Sequence, residues 1–339
     1  MRTLTVIAVL FSLALPAAAG EKTIYGGDSR HDFYEVTDGV ERAAMTAAVS
    51  IFRDTALSEG TLSYAVGGRP FGHESRAICP GERFFEQRSA AFCSGTLIAP
   101  DLVLTAGHCM GEKNKPASRC ERARFVFGFS VDREGRSPSS VRKSDVYSCA
   151  EVKIYANGAG GDYAVVRLDR RVGRRTAARL HVSGPPEAGL PVFTVGGPYG
   201  LPLKVVNDAG VRSVSGDKKF FRTNLDTSGG NSGGGIFSAL NGRLIGVHTA
   251  SWDPDLVEVS LPPGHGLPAD DARVKAGKCK LITALAQDDG NGKKGYALSA
   301  IPGLAALLRG GDKEVPTDMP PVTDIPAARA DLSDFGSFQ

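Results

Sequence analysis

The sequence predicts an all-β protein built from many short antiparallel strands. Its 339 residues include 42 glycines and 20 prolines, which indicates frequent turns. Between about residues 77 and 308, runs rich in β-branched and aromatic residues alternate with turn residues. This spacing is typical of a sandwich or barrel rather than of βαβ units. The runs are GTLIAP, DLVLTA, ARFVFGFSV, VYSCAEVKIY, DYAVVRL, LPVFTVGG and RLIGVHTAS.

The first nineteen residues have the layout of a secretory signal peptide. Arg2 gives a positive start, residues 4–15 are apolar, and Pro16 precedes a run of three alanines that suits signal cleavage. The apolar run is too short to span a bilayer well. We therefore predict a secreted or periplasmic protein with no stable membrane anchor.

The remaining chain divides into three parts. Residues 20–60 form an N-terminal segment, either a propeptide or a first strand, in which VERAAMTAAVSIF fits a short helix or a buried strand equally well. Residues 61–310 form the main domain, with a long insert at about 253–277 and a closing amphipathic helix in ALSAIPGLAALLR. Residues 311–339, rich in Pro and Asp and without periodicity, predict a disordered tail.

Charge and cysteine content exclude several classes of function. A formal net charge of +3 gives no reason to expect a nucleic-acid partner. Six cysteines in an exported chain indicate disulfides, for which fifteen pairings are open. No CxxC spacing is present and the histidines are scattered, so we predict no metal site and no cofactor.

A histidine lies in the motif CSGTLIAPDLVLTAGHC. A bridge between Cys93 and Cys109 would close a loop worth about 3 kcal/mol in the chain-entropy model. It would also fix the turn that carries His108. A histidine that accepts a proton and then returns it must be held in one orientation, so His108 is the candidate general base.

An aspartate begins the apolar run DYAVVRL. A buried carboxylate needs a hydrogen-bond donor, and an imidazole N–H is a suitable one, so Asp162 is the candidate partner of the histidine. Asp169 is followed by two arginines, so we expect it to form an ion pair on the surface. Asp145 precedes no comparable strand.

The glycine-rich motif DTSGGNSGGG surrounds Ser232. Glycines allow backbone conformations closed to other residues, so successive N–H groups can point at one spot. Such a spot can hold the oxyanion of a tetrahedral intermediate. We assign the oxyanion donors to the N–H groups of Gly230 and Ser232, and the nucleophile to Ser232.

TAGHC, DYAVVRL and GNSGG, in that order, resemble the motifs of the chymotrypsin-like (trypsin-like) serine proteases. The resemblance covers roughly residues 24–309. It implies two packed six-stranded antiparallel β-barrels with a C-terminal helix, and a hydrolase that cleaves protein or peptide substrates. His108 and Asp162 would come from the first barrel and Ser232 from the second. We predict a monomeric enzyme.

IYGGDSR, GGPYGLPLK and GGNSG resemble the bacterial glutamyl endopeptidase branch more closely. Trypsin-like zymogens have an aspartate immediately before the serine, which pairs with a new N-terminal ammonium on activation. Asn231 stands there in this chain. Activation must therefore proceed otherwise, by removal of a propeptide near Lys22 or by signal cleavage alone.

The same branch implies an acidic-substrate pocket. Its threonine five residues before the nucleophile matches Thr227, and its histidine on the following strand matches His248 in GVHTA. A hydroxyl and an imidazole can both donate to a carboxylate. The TASW that follows departs from the branch's glycine-rich stretch. Cleavage after Lys or Arg stays open, with Asp226 pointing inward in place of Thr227.

The disulfide prediction completes the set of expectations. We predict Cys93–Cys109, then Cys120–Cys149, whose members flank the run ARFVFGFSV, and then Cys79–Cys279 as the remaining pair. Two other functions stay open: a catalytically inert binding homologue, and an exported adhesin or toxin-like protein that uses the insert and the tail.

Overall fold

The computed structural model describes residues 24–113, 115–251 and 256–310. The predicted signal peptide and the predicted tail both lie outside these ranges. Within them, no helix combines the length and the apolar character needed to cross a membrane.

The described residues are mainly β-strands joined by short turns. The strands are β1 (Ile24–Tyr25), β2 (Arg30–His31), β3 (Ala48–Arg53), β4 (Leu57–Glu59), β5 (Ser63–Val66), β6 (Arg69–Pro70), β7 (Arg88–Ser89), β8 (Cys93–Ala99), β9 (Leu102–Thr105), β10 (Ala123–Phe127), β11 (Ser140–Arg142), β12 (Val146–Gly158), β13 (Gly161–Leu168), β14 (Pro191–Gly196), β15 (Lys204–Val214), β16 (Phe220–Thr223), β17 (Gly235–Ser238), β18 (Leu244–Ser251), β19 (Leu256–Ser260), β20 (Lys278–Ile282), β21 (Ala284–Leu285) and β22 (Lys293–Ala297).

The helices are short. They are α1 (Gly39–Ala47), α2 (Gly107–Met110), α3 (Ala272–Ala276) and α4 (Leu304–Gly310). Single 3-10 turns cover Phe33–Glu35, Asp54–Ala56, Glu74–Arg76, Lys143–Asp145, Pro198–Gly200 and Leu298–Ala300.

The first barrel is closed and antiparallel, in the order β10–β12–β13–β9–β8–β3. Its strands are the predicted runs GTLIAP, DLVLTA, ARFVFGFSV, VYSCAEVKIY and DYAVVRL, together with one N-terminal strand. Burial of their apolar side chains drives closure. The filling of this barrel includes Val49, Ile51, Leu97, Val103, Phe125 and Val166, all less than 1% exposed.

The second barrel has the order β14–β17–β18–β22–β16–β15, and pairing of β14 with β15 closes it. β2 adds to the outer side of β15. Apolar side chains fill this barrel too, among them Val206, Phe221, Leu225 and Ile236. The predicted architecture of two six-stranded antiparallel barrels is confirmed.

The N-terminal segment contains both of the structures that the sequence left open. Asp38 caps α1 by accepting from the N–H groups of Val40 and Glu41 at 2.8 and 2.9 Å, and β3 follows the helix directly. Because β3 pairs with both β8 and β10, the first barrel begins at Ala48. The domain boundary predicted at residue 61 falls after that strand.

The insert forms a hairpin that is covalently tied to a distant loop. β19 and β20 pair antiparallel, and α3 lies between them in sequence. Cys279 on β20 forms a disulfide with Cys79, 200 residues away. The buried guanidinium of Arg273 also donates to the carbonyls of Gly72 and Ile78, each at 2.8 Å.

The C-terminal helix is shorter than the sequence predicts. Ala297 still belongs to β22, a 3-10 turn follows, and α4 begins only at Leu304. Pro302 has no N–H to donate within a helix, and Gly303 has a φ of +78°, so a continuous helix from residue 297 cannot form. α4 lies in a second unit that starts at Gly303.

Candidate active site

His108 lies in the short helix α2, directly after β9. Its backbone N–H donates to Asp162 Oδ1 at 2.9 Å, and its Nδ1 lies 2.7 Å from Asp162 Oδ2. An ionised carboxylate only accepts, so Nδ1 carries the hydrogen and Nε2 is left as the acceptor. The side chain is 37% exposed, so this acceptor is accessible.

Close backbone approach and covalent linkage hold that turn. A Cβ on Gly107 would lie 1.8 Å from the carbonyl oxygen of Ala156, so only glycine fits between α2 and β12. The predicted Cys93–Cys109 disulfide is present and links α2 to β8. Arg119, which sequence reasoning missed, donates to the carbonyl of His108 at 2.5 Å.

The two rival aspartates are engaged elsewhere. Asp169 pairs with Arg170 at 3.1 Å on the surface, as predicted. Asp145 lies 3.3 Å from Arg175. Neither carboxylate contacts His108 in the described parts of the chain, so Asp162 is the carboxylate that orients its ring.

Ser232 lies in the loop between β16 and β17 and is partly buried. Its carbonyl accepts from the N–H of Ser94 at 2.8 Å, and the Sγ of Cys109 lies 3.5 Å from the same oxygen. The loop of Ser232 is therefore in contact with the residue that follows His108. His108 and Asp162 are therefore in direct contact, and Ser232 lies in a loop that touches the neighbour of His108.

Glycines shape the backbone before and after the serine. Gly230 has a φ of +101° and Gly233 a φ of +86°. A Cβ on Gly233 would lie 2.1 Å from Thr105 Oγ1 and 2.2 Å from the carbonyl oxygen of Ser94. These positions require glycine for both conformation and space.

Two N–H groups of this loop remain available. Asn231, Gly233 and Gly234 each donate to a backbone carbonyl. In the described ranges, the N–H groups of Gly230 and Ser232 have no protein acceptor. These are the two predicted oxyanion donors. The loop is pinned beside them, because Ser94 Oγ donates to the carbonyl of Gly230 at 2.8 Å.

The side chain of Asn231 forms a hydrogen bond within the loop of Ser232. Its Oδ1 accepts from the N–H of Ser228 at 3.1 Å, and the residue is fully buried. An amide thus occupies the position that an aspartate holds in trypsin-like zymogens. Its contact is local to the loop.

Thr227 lies in the same loop as Ser232, and both Thr227 and His248 are buried. His248 lies on β18, where its carbonyl accepts from Gly233 N at 2.7 Å and its N–H donates to the carbonyl of Gly234 at 2.9 Å. Its ring Nδ1 is buried with no hydrogen-bond partner in the described residues. Burial, together with the charges of Lys293 and His108, lowers the pKa of His248 to about 3. The imidazole is therefore neutral at ordinary pH.

Lys293 is a buried lysine that sequence reasoning missed. It lies on β22, opposite Thr223 on β16 and Ser251 on β18, and is fully buried. A lysine pair in KKGYA suggests a solvated strand. Side chains alternate between the two faces of a strand, so Lys293 shares a face with the buried residues Gly295 and Ala297. This alternation is the sequence signal that could have predicted its burial.

Asp226 is buried but faces the N-terminal segment. Its Oδ1 accepts from Tyr25 N at 2.7 Å, and its Oδ2 accepts from the N–H and Oγ of Ser29 at 2.9 and 2.8 Å. Burial raises the pKa of this carboxyl, while the hydrogen bonds from Ser29 and Tyr25 act in the opposite direction.

One cluster has the spacing of a metal site, but its chemistry does not fit one. Possible ligand atoms of Cys93, His108 and Cys109 lie within 4.8 Å of one another. Both sulfurs belong to the same disulfide, so neither is a thiolate that could ligate a metal.

Comparison with known proteins agrees with the fold. Residues 93–247, which include His108, Asp162 and Ser232, match the family model of the trypsin-like peptidase domain. The predicted resemblance to trypsin-like serine proteases is confirmed for this stretch.

Similar solved structures include a Glu endopeptidase in complex with MPD, at 17% identity and a TM-score of 0.42, covering 68% of this chain and 88% of that one. The serine endoprotease from Yersinia pestis has 16% identity and a TM-score of 0.40, with 73% and 63% coverage. The Vibrio cholerae VesB protease has 14% identity and a TM-score of 0.44, with 82% and 65% coverage. The chain thus spans slightly less than two thirds of the last two proteins.

Proposed function

Because residues 93–247 match the family model of the trypsin-like peptidase domain, we propose that the protein is a serine endopeptidase with His108, Asp162 and Ser232 as its triad. The supporting observation is the double contact between His108 and Asp162, at 2.7 and 2.9 Å, next to the loop of Ser232. A histidine held in one tautomer with its second nitrogen accessible is the arrangement that a serine nucleophile needs.

The proposed reaction is acyl transfer. Nε2 of His108 accepts the proton of Ser232 Oγ as that oxygen attacks the scissile carbonyl carbon, and Asp162 stabilises the imidazolium that results. The N–H groups of Gly230 and Ser232 donate to the oxyanion, each worth about 3 kcal/mol. His108 then protonates the leaving amine, and a water molecule releases the acyl group by the same sequence.

For specificity, we propose cleavage after Glu or Asp. Thr227 and His248 are the assigned pocket residues, and a neutral imidazole retains one N–H that can donate to a carboxylate. The nearby buried cation of Lys293 makes the surroundings of His248 more favourable for a negative charge. Pockets that bind an acidic side chain need such donors and charge.

The alternative specificity for Lys or Arg would use Asp226. Its two carboxylate oxygens already accept three hydrogen bonds from Tyr25 and Ser29. Turning that carboxylate toward a substrate would leave buried N–H groups without an acceptor, which costs about 1–3 kcal/mol for each group. This engagement favours the acidic specificity.

The location that we propose is secreted or periplasmic. All three predicted disulfides, Cys79–Cys279, Cys93–Cys109 and Cys120–Cys149, are present. Disulfides form and persist in oxidising compartments. The signal peptide remains a prediction from the sequence.

The decisive experiment is cleavage of a mixed peptide library, read by mass spectrometry. We expect the wild-type protein to cut and Ser232→Ala to be inactive. Ser213→Ala changes an exposed serine on β15 and should leave cutting intact. Cuts after Glu or Asp would support the pocket of Thr227 and His248, whereas cuts after Lys or Arg would contradict it. A wild-type protein that cuts nothing and resists a fluorophosphonate probe would favour the inert binding homologue.

A further inference from the structure

The carboxylate of Asp226 joins two distant parts of the chain. Three donors converge on it, all from residues 24–29, which we call the anchor segment: the N–H of Tyr25, the N–H of Ser29 and the hydroxyl of Ser29. These residues lie about 200 positions before Asp226 in sequence, and all three distances fall between 2.7 and 2.9 Å.

The donors are neutral, and two of them belong to the backbone. No ion pair in the described parts of the chain includes Asp226, although the residue is only 1% exposed. A buried carboxylate is tolerated only where it is well hydrogen-bonded. Two of the three donors are backbone N–H groups, so the contact depends on the path of the anchor segment's backbone.

The anchor segment is itself firmly held. β1 pairs in parallel with β21, and the N–H of Gly26 donates to the carbonyl of Leu285 at 2.8 Å. The guanidinium of the buried Arg30 donates two hydrogen bonds to Asp28, at 2.6 and 2.8 Å. The anchor segment is thus held in place, and Asp226 is hydrogen-bonded to it.

In sequence, Asp226 directly precedes the residues that we assign to the substrate site. Thr227 is the next residue, and the same loop continues to Gly230 and Ser232. The N–H of Thr227 bonds to the carbonyl of Leu225, so the backbone turns tightly around Asp226. A shift of the backbone at Asp226 therefore also moves Thr227.

We propose that Asp226 is a positioning residue that couples the anchor segment to the substrate pocket, a role that rests on the proposed peptidase function. The carboxylate holds the loop of Thr227 against the anchor segment and does not touch the substrate. Coupling of this kind is reciprocal: occupation of the pocket must also steady the anchor segment.

The first test compares Asp226→Ala, the milder Ser29→Ala, and Asp217→Asn as a control for loss of an acid. Asp217 is exposed and bonds within its own turn. For a peptide that wild type cuts, we expect KM to rise at least tenfold in Asp226→Ala and about threefold in Ser29→Ala, with kcat less affected. The rate of labelling by a small fluorophosphonate, which needs no pocket, should stay within threefold of wild type.

Unchanged KM values in both variants would overturn the coupling. An equal loss of peptide cleavage and fluorophosphonate labelling would also overturn it, because it would show a general loss of structure. If Asp226→Ala does not fold, Ser29→Ala carries the test alone. If wild type cuts no peptide, the proposed function fails instead of the coupling.

A second measurement does not depend on turnover. Amide hydrogen exchange of Tyr25 and Ser29 is followed before and after Ser232 is phosphonylated by a peptidyl phosphonate diphenyl ester that carries the preferred acidic residue. Ser232 Oγ forms a bond to phosphorus and one phenol leaves. We expect several-fold slower exchange in wild type and no change in Asp226→Ala. Identical exchange with and without the bound peptide in wild type would contradict the reciprocal coupling.

Discussion

One carboxylate contacts both the backbone and the ring of the same histidine. Asp162 accepts from His108 N through one oxygen and lies beside Nδ1 with the other, so it fixes the position of the residue and the tautomer of its ring together. The sequence places Asp162 at the start of an apolar strand. It cannot show the backbone contact, which depends on the close approach of Gly107 to β12.

This geometry predicts the effect of Asp162→Asn. The amide would favour the wrong tautomer of His108, so we expect kcat to fall about 10⁴-fold with little change in KM. The measurement is steady-state hydrolysis of a peptide that wild type cuts. Asp169→Asn, which alters a surface ion pair with Arg170, should keep nearly full activity. A loss of less than tenfold in Asp162→Asn would contradict the assignment.

His248 predicts how stability depends on pH. Its folded pKa of about 3 lies below the ordinary 6.5, so the unfolded chain binds a proton that the folded protein excludes. The free energy of unfolding should therefore fall as pH drops from about 6.5 toward 3, by up to about 1.4 kcal/mol per pH unit from this group.

Urea unfolding at several pH values tests this expectation. We expect His248→Gln to reduce the slope by about one proton, since glutamine does not titrate. Thr227→Val changes the same pocket without removing a titrating group and should keep the wild-type slope. Equal slopes in wild type and His248→Gln would refute the buried neutral histidine.

At the scale of elements, the loop between β16 and β17 depends on conformations that glycine alone adopts easily. Gly230 combines a φ of +101° with a Cβ position only 2.4 Å from the carbonyl oxygen of Gly197. Any side chain there must push the loop away from Pro198–Gly200, the neighbouring 3-10 turn. The two N–H groups that we propose as oxyanion donors would move with it.

We therefore expect Gly230→Ala to lower kcat about 10²–10³-fold, the range for the loss of one oxyanion donor. Gly216→Ala is the matched control, because a Cβ on Gly216 meets nothing within 4 Å. Its activity should equal that of wild type. Circular dichroism spectra must match across the three proteins. Full activity in Gly230→Ala would contradict the assignment of the Gly230 N–H as an oxyanion donor.

The strands of both barrels follow from local pattern, but some of the contacts between elements do not. Runs such as DYAVVRL are strand-like by composition alone, and the structure contains them. VERAAMTAAVSIF was ambiguous because one apolar run supplies both α1 and β3. The closing helix was predicted too long because the propensity of the alanines and leucines outweighed Pro302.

The site shows the same division between local and distant information. Motifs identified His108, Asp162 and Ser232 because each residue has a short and specific sequence around it. The burial of Lys293 and the partners of Asp226 depend on residues far away in the chain. No local pattern encodes a contact between Ser29 and Asp226.

At the scale of the whole molecule, the three disulfides stabilise very different lengths of chain. Cys120–Cys149 spans 29 residues and Cys79–Cys279 spans 200. In the chain-entropy model, the longer loop contributes about 5 kcal/mol and the shorter about 3.5 kcal/mol. Besides its length, the longer bridge ties the insert to the loop before the first barrel's β8.

We expect the double variant Cys79→Ser/Cys279→Ser to lose more stability than Cys120→Ser/Cys149→Ser, by about 1–2 kcal/mol. Urea unfolding under non-reducing conditions, with the midpoint and slope fitted together, measures the difference. The same cleavage assay shows whether either variant keeps an active pocket. A larger loss from the shorter bridge would contradict the loop-length argument.

The Cys79–Cys279 bridge can form only late in the synthesis of the chain. The ribosome completes Cys93, Cys109, Cys120 and Cys149 while Cys79 still has no partner, and 130 further residues must follow Cys149 before Cys279 exists. Where the chain enters the oxidising compartment while it is being synthesised, that delay is roughly 7–26 seconds at translation rates of about 5–20 residues per second. During it, the waiting thiol is exposed to mispairing with four nearer cysteines. Correct maturation thus requires either early closure of the two short loops or an isomerase that repairs errors.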